Sequence, residues 1–372
     1  MTRNLRDGAA RVFMYTTFLW CSVALLSFVL ASCAPPAPEI TEPTRYREAD
    51  VFFDNPRAGV RLAGTFSFPT EGGPFPAVVL IHGSGRLDRR VEVAGHEIFT
   101  VLADYLSRRG VAVLRYDKRG LGGSTGDYSA ATSNELGDDV LAAVEFLRAR
   151  SDVDPARIGL VGLSEGGILG PAVANASADV AFVVALGGPV MRGDELLALQ
   201  ADVIAAAEGN TPAERAETAE LLRRFNVYVR SGEDRATLDR RLDELLGELV
   251  VSEQVRRALA DREPLLSVWY RFYIDYDPAP ALRAVRQPIL FFIGEKDLQV
   301  PPEPNLALAE AARAAGTNPD FTVATLPRIN HALQSIGPDQ TGSPSEYGSI
   351  DETIAPAVLN LVGTWIDEQI AR

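Results

Sequence analysis

The sequence predicts an α/β fold: a mostly parallel sheet with helices on both faces and an inserted helical cap. Three observations carry this. Short β-branched apolar runs alternate with helical stretches along most of the chain, the order that builds a parallel sheet covered on both sides. Around Ser164 a strand passes through a glycine-flanked turn directly into a helix. Residues 190–285 then lose all strand alternation while keeping Ala, Leu, Glu and Arg at helical spacing, as in an insertion between two strands.

The elements follow in order. Arg61 to Phe68 alternates like an antiparallel strand, and Pro76 to Ile81 is the first continuous apolar one. Ile98 to Arg109 reads as a helix, Val111 to Tyr116 as a strand, and Glu135 to Arg150 as a second helix. Strand 157–163, helix 165–176 and strand Val180 to Leu186 come next. Helical spacing marks 194–207, 212–230 and 234–260, and the sheet resumes at 288–293 and 321–326 before a last helix, Pro356 to Ile370. The expected division is a core of 49–189 and 286–372 with a helical cap of 190–285.

The chain begins with Arg3, Arg6 and Arg11, then an apolar run from Val12 to Leu30, long enough to be a membrane span. Leu30-Ala31-Ser32-Cys33 resembles a bacterial lipoprotein box instead, and Ala34-Pro35-Pro36-Ala37-Pro38 follows as an extended tether rather than a basic stop-transfer cluster. The expectation is a signal peptide at 1–32, lipidation at Cys33 and a Pro-rich tether over 33–48. Acyl chains would then anchor the protein to a lipid membrane without spanning it, in the bacterial cell envelope and facing outside the cytoplasm. Ordinary secretion and a retained signal anchor are the alternatives. Cys21 and Cys33 are the two cysteines, so a processed chain would have no thiol for a disulfide or a nucleophile.

Polar and aromatic residues of interest gather at six places. Gly162-Leu163-Ser164-Glu165-Gly166 reads G-x-S-x-G, a turn that stands a serine hydroxyl clear of the strand's carboxyl end with a helix N-terminus behind it. Of His82, His96 and His331, only His331 follows Ser164, in a loop after an apolar strand. Asp297, just past the strand ending at Gly294, is placed to orient that histidine, with Glu295 as rival. His82-Gly83-Ser84-Gly85 closes an earlier strand, where the backbone N–H of Ser84 would pair with that of Glu165 as an oxyanion hole. His82 is expected to hold that loop by hydrogen bonding. Trp269, Tyr270, Phe272, Tyr273 and Tyr276 either line a pocket or seal a helix onto the sheet. Arg115, Asp117, Lys118 and Arg119 read as loop-fixing ion pairs.

These motifs, with Asp117-Lys118-Arg119-Gly120-Leu121-Gly122-Gly123-Ser124, Tyr276-Asp277-Pro278, Gly294-Glu295-Lys296-Asp297 and Asn330-His331, resemble a capped α/β-hydrolase of the serine esterase group, related to dienelactone hydrolases and serine aminopeptidase-like hydrolases. The resemblance covers roughly residues 50 to 370. It implies the α/β-hydrolase fold, a nucleophile on Ser164, an acid on Asp297, a base on His331, and carboxylesterase-type hydrolysis of a small-molecule ester. It leaves open a peptidase or amidase, a thioesterase, or a non-catalytic binding lipoprotein. The cap glutamates Glu208, Glu214, Glu217 and Glu220 could grip a peptide terminus or simply face solvent. The implied chemistry needs no cofactor, and the histidines show no metal-ligand spacing.

A formal charge of −14 argues against a nucleic-acid partner, since phosphate neutralisation needs basic surface. Cys33→Ser is expected to move the protein from the membrane to the soluble fraction of the cells that produce it. Undiminished membrane retention would show the apolar run itself acting as the anchor.

Overall fold

The computed structural model describes residues 46–372, so the signal segment, the lipidation candidate Cys33 and the tether up to residue 45 lie outside the described residues. Among the described residues no helix is long and apolar enough to cross a membrane.

Strands β1 (Tyr46–Asn55), β2 (Val60–Pro69) and β3 (Phe75–Ile81) open the chain, followed by the two-residue strands β4 (Glu92–Val93) and β5 (His96–Glu97). Then come α1 (Ile98–Arg108), β6 (Ala112–Tyr116), α2 (Ser133–Arg148), β7 (Val153–Leu163), α3 (Glu165–Ala176) and β8 (Phe182–Leu186). Helices α4 (Gly193–Ala207), α5 (Pro212–Arg230), α6 (Arg235–Glu248), α7 (Glu253–Ala258), α8 (Glu263–Leu266), α9 (Val268–Tyr273) and α10 (Ala279–Ala284) separate β8 from β9 (Ile289–Gly294). Helix α11 (Pro302–Ala315), β10 (Phe321–Leu326) and α12 (Pro356–Ile370) complete it.

The main sheet runs β1-β2-β6-β3-β7-β8-β9-β10. Strands β1 and β2 are antiparallel, and every pair from β6 to β10 is parallel. Period-two alternation sends Val79 and Ile81 to one face, with Leu136 and Val140 of α2 and Ile168 and Val173 of α3. It sends Val78 and Leu80 to the other, with Phe99 and Leu102 of α1 and Val362 and Ile366 of α12. Parallel strands buried on both faces explain why β3, β8, β9 and residues 158–163 of β7 are near-continuous apolar runs.

The α/β-hydrolase fold expected from the sequence is therefore the fold observed, and most differences from the expected elements sit where local patterns mislead. Strand β1 was not anticipated, and its first residues, Tyr46 to Glu48, fall in the stretch read as tether. It is an edge strand whose residues are mostly solvated, so it lacks the apolar alternation that marks a half-buried strand. Helix α11 begins Pro302-Glu303-Pro304; prolines in a first turn cost nothing, because those N–H groups have no helical partner anyway. The span 234–260 is two helices, because the Ser252 hydroxyl accepts the Val255 N–H and starts a new one.

The seven helices between β8 and β9 carry a core of their own, with Leu221, Phe225 and Val229 of α5 against Leu238, Leu242 and Leu245 of α6. Asp139 of α2 is fully buried and takes Nε and Nη2 of Arg119 at 2.7 and 2.8 Å and the amide of Asn55 at 2.8 Å. That network ties β1, the loop after β6 and α2 together. Asp139→Ala would leave a buried guanidinium without its carboxylate and is expected to cost about 3–5 kcal/mol, read as a lowered midpoint in urea denaturation with unchanged slope.

Candidate active site

Ser84, Ser164, Glu165, Asp297 and His331 all follow the carboxyl ends of parallel strands, where open α/β sheets hold their ligands. Ser164 follows β7 directly. Its φ of 56° and ψ of −118° lie in a region that non-glycine residues rarely occupy. Two hydrogen bonds hold it there: its N–H donates to the Leu186 carbonyl at the end of β8, and its own carbonyl accepts the Gly167 N–H, both at 2.8 Å. The turn needs Gly166, where a side chain would stand 2.2 Å from the Ile81 carbonyl oxygen. Strain of this kind persists only where the surroundings over-determine it, and it concentrates at functional sites.

His331 and Asp297 form a buried pair, Nδ1 to Oδ2 at 2.7 Å, exposed 8% and 1%. Oδ1 of Asp297 accepts the N–H groups of Gln299 and Val300 at 2.9 and 2.7 Å, so the carboxylate is oriented at both ends. A carboxylate on Nδ1 keeps the proton there and leaves Nε2 as an acceptor. The rival Glu295 is half exposed; it accepts the Arg328 N–H and pairs with Lys296, away from the histidine. The His331 loop is fixed by Asn330 and Gln334, which bond each other through backbone and side chains, while Gln334 Nε2 donates to the Tyr347 and Glu352 carbonyls. Gln334 was not singled out from the sequence; only its adjacency to Asn330-His331 could have marked it.

Ser164 and His331 line one cavity of about 150 Å3 with Gly83, Ser84, Leu87 and Tyr347. The loop after β3 reaches this cavity because it passes against the elbow: a methyl added at Gly83 would lie 3.1 Å from Ser164 Cβ. The Ser84 N–H has no hydrogen-bond partner among the described residues, and the Glu165 N–H is one of the unpaired first donors of α3. His82 does hold its loop, with Nε2 donating to the Tyr116 carbonyl at 2.6 Å. Complete burial, reinforced by the nearby Lys118 charge, drops its pKa to about 3, so it stays neutral.

Lys118 departs from the simple ion-pair reading. Arg115 pairs with Glu48, Asp117 with Arg89, and Arg119 with Asp139. The buried Lys118 ammonium instead donates to the carbonyls of Gly83 and Gly85 at 2.6 and 3.0 Å, with Glu165 4.0 Å away. Burial lowers its pKa to about 8, which the Glu165 charge partly opposes.

The aromatic residues pack within the protein, and Tyr270 also lines an apolar cavity between α4 and α5. Trp269 stacks on Tyr273 at 4.5 Å, Tyr270 bonds Asn226, and none of the five lines the Ser164 cavity. Trp269 Nε1 also donates to Glu165 Oε1 at 2.7 Å. Of the four glutamates that could grip a peptide terminus, Glu208 accepts from Ser343, Glu214 caps α5 and Glu220 pairs with Arg223; these three are engaged within the chain.

The sequence matches the alpha/beta hydrolase family over residues 78–335, and the chain belongs to that family. It is 35% identical over 140 residues to esterase EstD of Thermotoga maritima, a match covering 38% of this chain and 32% of EstD. The chain spans 48% of the length of each of the next two curated relatives, both from Mycobacterium tuberculosis. In structure it is similar to an esterase of Pyrococcus furiosus, with a TM-score of 0.55 and 17% identity over 87% of this chain and 91% of that one. It is also similar to Est1E of Butyrivibrio proteoclasticus in complex with ferulic acid, with a TM-score of 0.51 and 17% identity over 87% of this chain and all of that one.

Gly187, which follows β8, has φ +58°, and a methyl there would stand 3.2 Å from the His331 ring and 3.3 Å from Asp297 Oδ2. Gly187→Ala is expected to cost about 1–2 kcal/mol from the left-handed backbone alone, read as a lowered Tm; an unchanged Tm would show the turn free to relax.

Proposed function

We propose that the protein is a serine esterase that hydrolyses small carboxylic esters through an acyl-enzyme on Ser164. The observation that carries this reading is the buried His331–Asp297 bond at 2.7 Å beside a strained serine that opens onto the same cavity. Ser164 Oγ adds to the ester carbonyl as its proton passes to His331 Nε2, and the carbonyl π pair moves onto oxygen. Asp297 holds the imidazole tautomer and stabilises the imidazolium. The N–H groups of Ser84 and Glu165 are the donors to the oxyanion. Collapse breaks the bond to the alcohol oxygen, which takes the proton from His331. Water, deprotonated by the same histidine, then releases the carboxylic acid and restores Ser164.

Further support comes from the curated relative named an esterase. The cavity of about 150 Å3 lies below the roughly 300–1,000 Å3 of sites for drug-sized ligands, which favours a short acyl group. With Cys33 lipidated, the enzyme would act from an acyl anchor in the bacterial envelope, and the seven helices between β8 and β9 would serve as the cap.

The test is a panel of p-nitrophenyl esters from acetate to palmitate beside aminoacyl anilides. Short esters are expected to be preferred over long ones and over anilides. Ser164→Ala is expected to abolish turnover, and Asp297→Asn to lower kcat by roughly 10⁴, whereas Glu295→Gln leaves it unchanged. Turnover surviving Ser164→Ala would refute the nucleophile, and anilide rates equal to ester rates would favour a peptidase or amidase.

A further inference from the structure

The loop after β3 places its polar backbone atoms beside Ser164 under close control. The Gly83 carbonyl accepts from Lys118 Nζ at 2.6 Å, the Gly85 carbonyl accepts from the same nitrogen at 3.0 Å, and the Gly85 N–H donates to the Tyr128 hydroxyl at 3.0 Å. The Ser84 N–H, which lies between these anchored groups, is left without a partner among the described residues. In a planar trans peptide the carbonyl and the next N–H point in opposite directions. An ammonium that draws the Gly83 carbonyl towards itself therefore turns the Ser84 N–H away from itself and fixes its aim.

Lys118 is itself held. It is buried, 4.0 Å from Glu165 and 5.2 Å from the Tyr128 ring centre. Glu165 is 2% exposed; its Oε1 accepts from Ser133 Oγ at 2.5 Å and Trp269 Nε1 at 2.7 Å, and its Oε2 has no hydrogen-bond partner among the described residues. A buried carboxylate oxygen is costly unless a charge answers it, and Lys118 is the cation beside it. The ammonium thus faces a carboxylate next to the nucleophile on one side and the loop carbonyls on the other.

We propose that Lys118 is a positioning residue for oxyanion stabilisation, orienting the Ser84 amide through the Gly83 and Gly85 carbonyls with Glu165 as its counter-charge. The proposal rests on the esterase reading above. It also accounts for the Trp269 bond to Glu165, through which helix α9 of the insertion joins the same network that sets the oxyanion loop.

The experiment compares the full-length parent with Lys118→Met, which keeps an unbranched stem of nearly the same reach and removes every donor. Kinetics on p-nitrophenyl acetate are measured beside affinity for an aryl trifluoromethyl ketone. Ser164 Oγ adds to that ketone's carbonyl carbon as its proton passes to His331 Nε2, and the carbonyl π pair moves onto the oxygen, which takes up the charge that the hole would hold. Lys118→Met is expected to lower kcat about 10- to 100-fold, short of the 10²–10³ that loss of a whole donor costs. KM should stay within about twofold, and ketone affinity should fall by the same factor as kcat/KM. A merely structural lysine would lower the Tm without that parallel. Lys118→Met with kcat and ketone affinity unchanged would overturn the proposal.

If Lys118→Met does not fold, Glu165→Gln removes the counter-charge that the proposal assigns to the Lys118 ammonium while keeping the backbone N–H of residue 165. It is expected to lower kcat several-fold at constant KM, and an unchanged kcat would overturn the proposal equally. A parent that hydrolyses no ester overturns the esterase reading and the positioning role with it. An active parent beside an equally active Lys118→Met overturns the positioning role alone.

Discussion

The turn at Ser164 depends on how closely backbone can approach backbone at the ends of β3, β7 and β8. Gly166 sits against the Ile81 carbonyl, the Ser164 N–H is claimed by Leu186, and Gly83 lies against Ser164 Cβ. These contacts hold Ser164 in a conformation that no local preference would choose. They also bring three loops together, because all three strands are parallel and end on the same edge. The strain at the serine and the proximity of its neighbours have one cause, which is tight packing of adjacent strand ends.

Around that turn, polar groups are anchored from outside the cavity. Asp297 is oriented by two backbone N–H groups before it meets His331, and the His331 loop is braced by Asn330 and Gln334. His82 is kept neutral by burial and spends its ring on the Tyr116 carbonyl. Each bond is ordinary, but together they leave the groups that face the cavity little freedom, and fixed groups lose least to reorganisation when charge develops. Glu165 extends the same bracing to the helices between β8 and β9, since Trp269 reaches it from α9.

How legible the protein was depended on the range of the interactions involved. The central strands and helix α3 were readable because burial on both faces writes continuous apolar runs, and because a serine between glycines after such a run has few other uses. Strand β1 and helix α11 were not, since an edge strand carries solvent-facing charge and prolines suit a helix's first turn as well as a loop. The break at Ser252 was missed because one hydroxyl cap decides it. At the site, chain order pointed to His331 and to a carboxylate after β9, but Glu295 and Asp297 stand two residues apart and look alike in sequence.

The sequence by itself determined the family, the order of the parallel strands, and the candidate site residues, because these follow from periodicity and from residue type at a strand end. Tertiary structure decided which carboxylate meets His331, what the aromatic residues pack against, and that Lys118 bonds the loop beside Ser164 rather than joining a surface ion pair. Those outcomes join residues 34 to 104 positions apart. Their geometry is set by the packing of strand ends and helices, to which no local stretch of sequence has access.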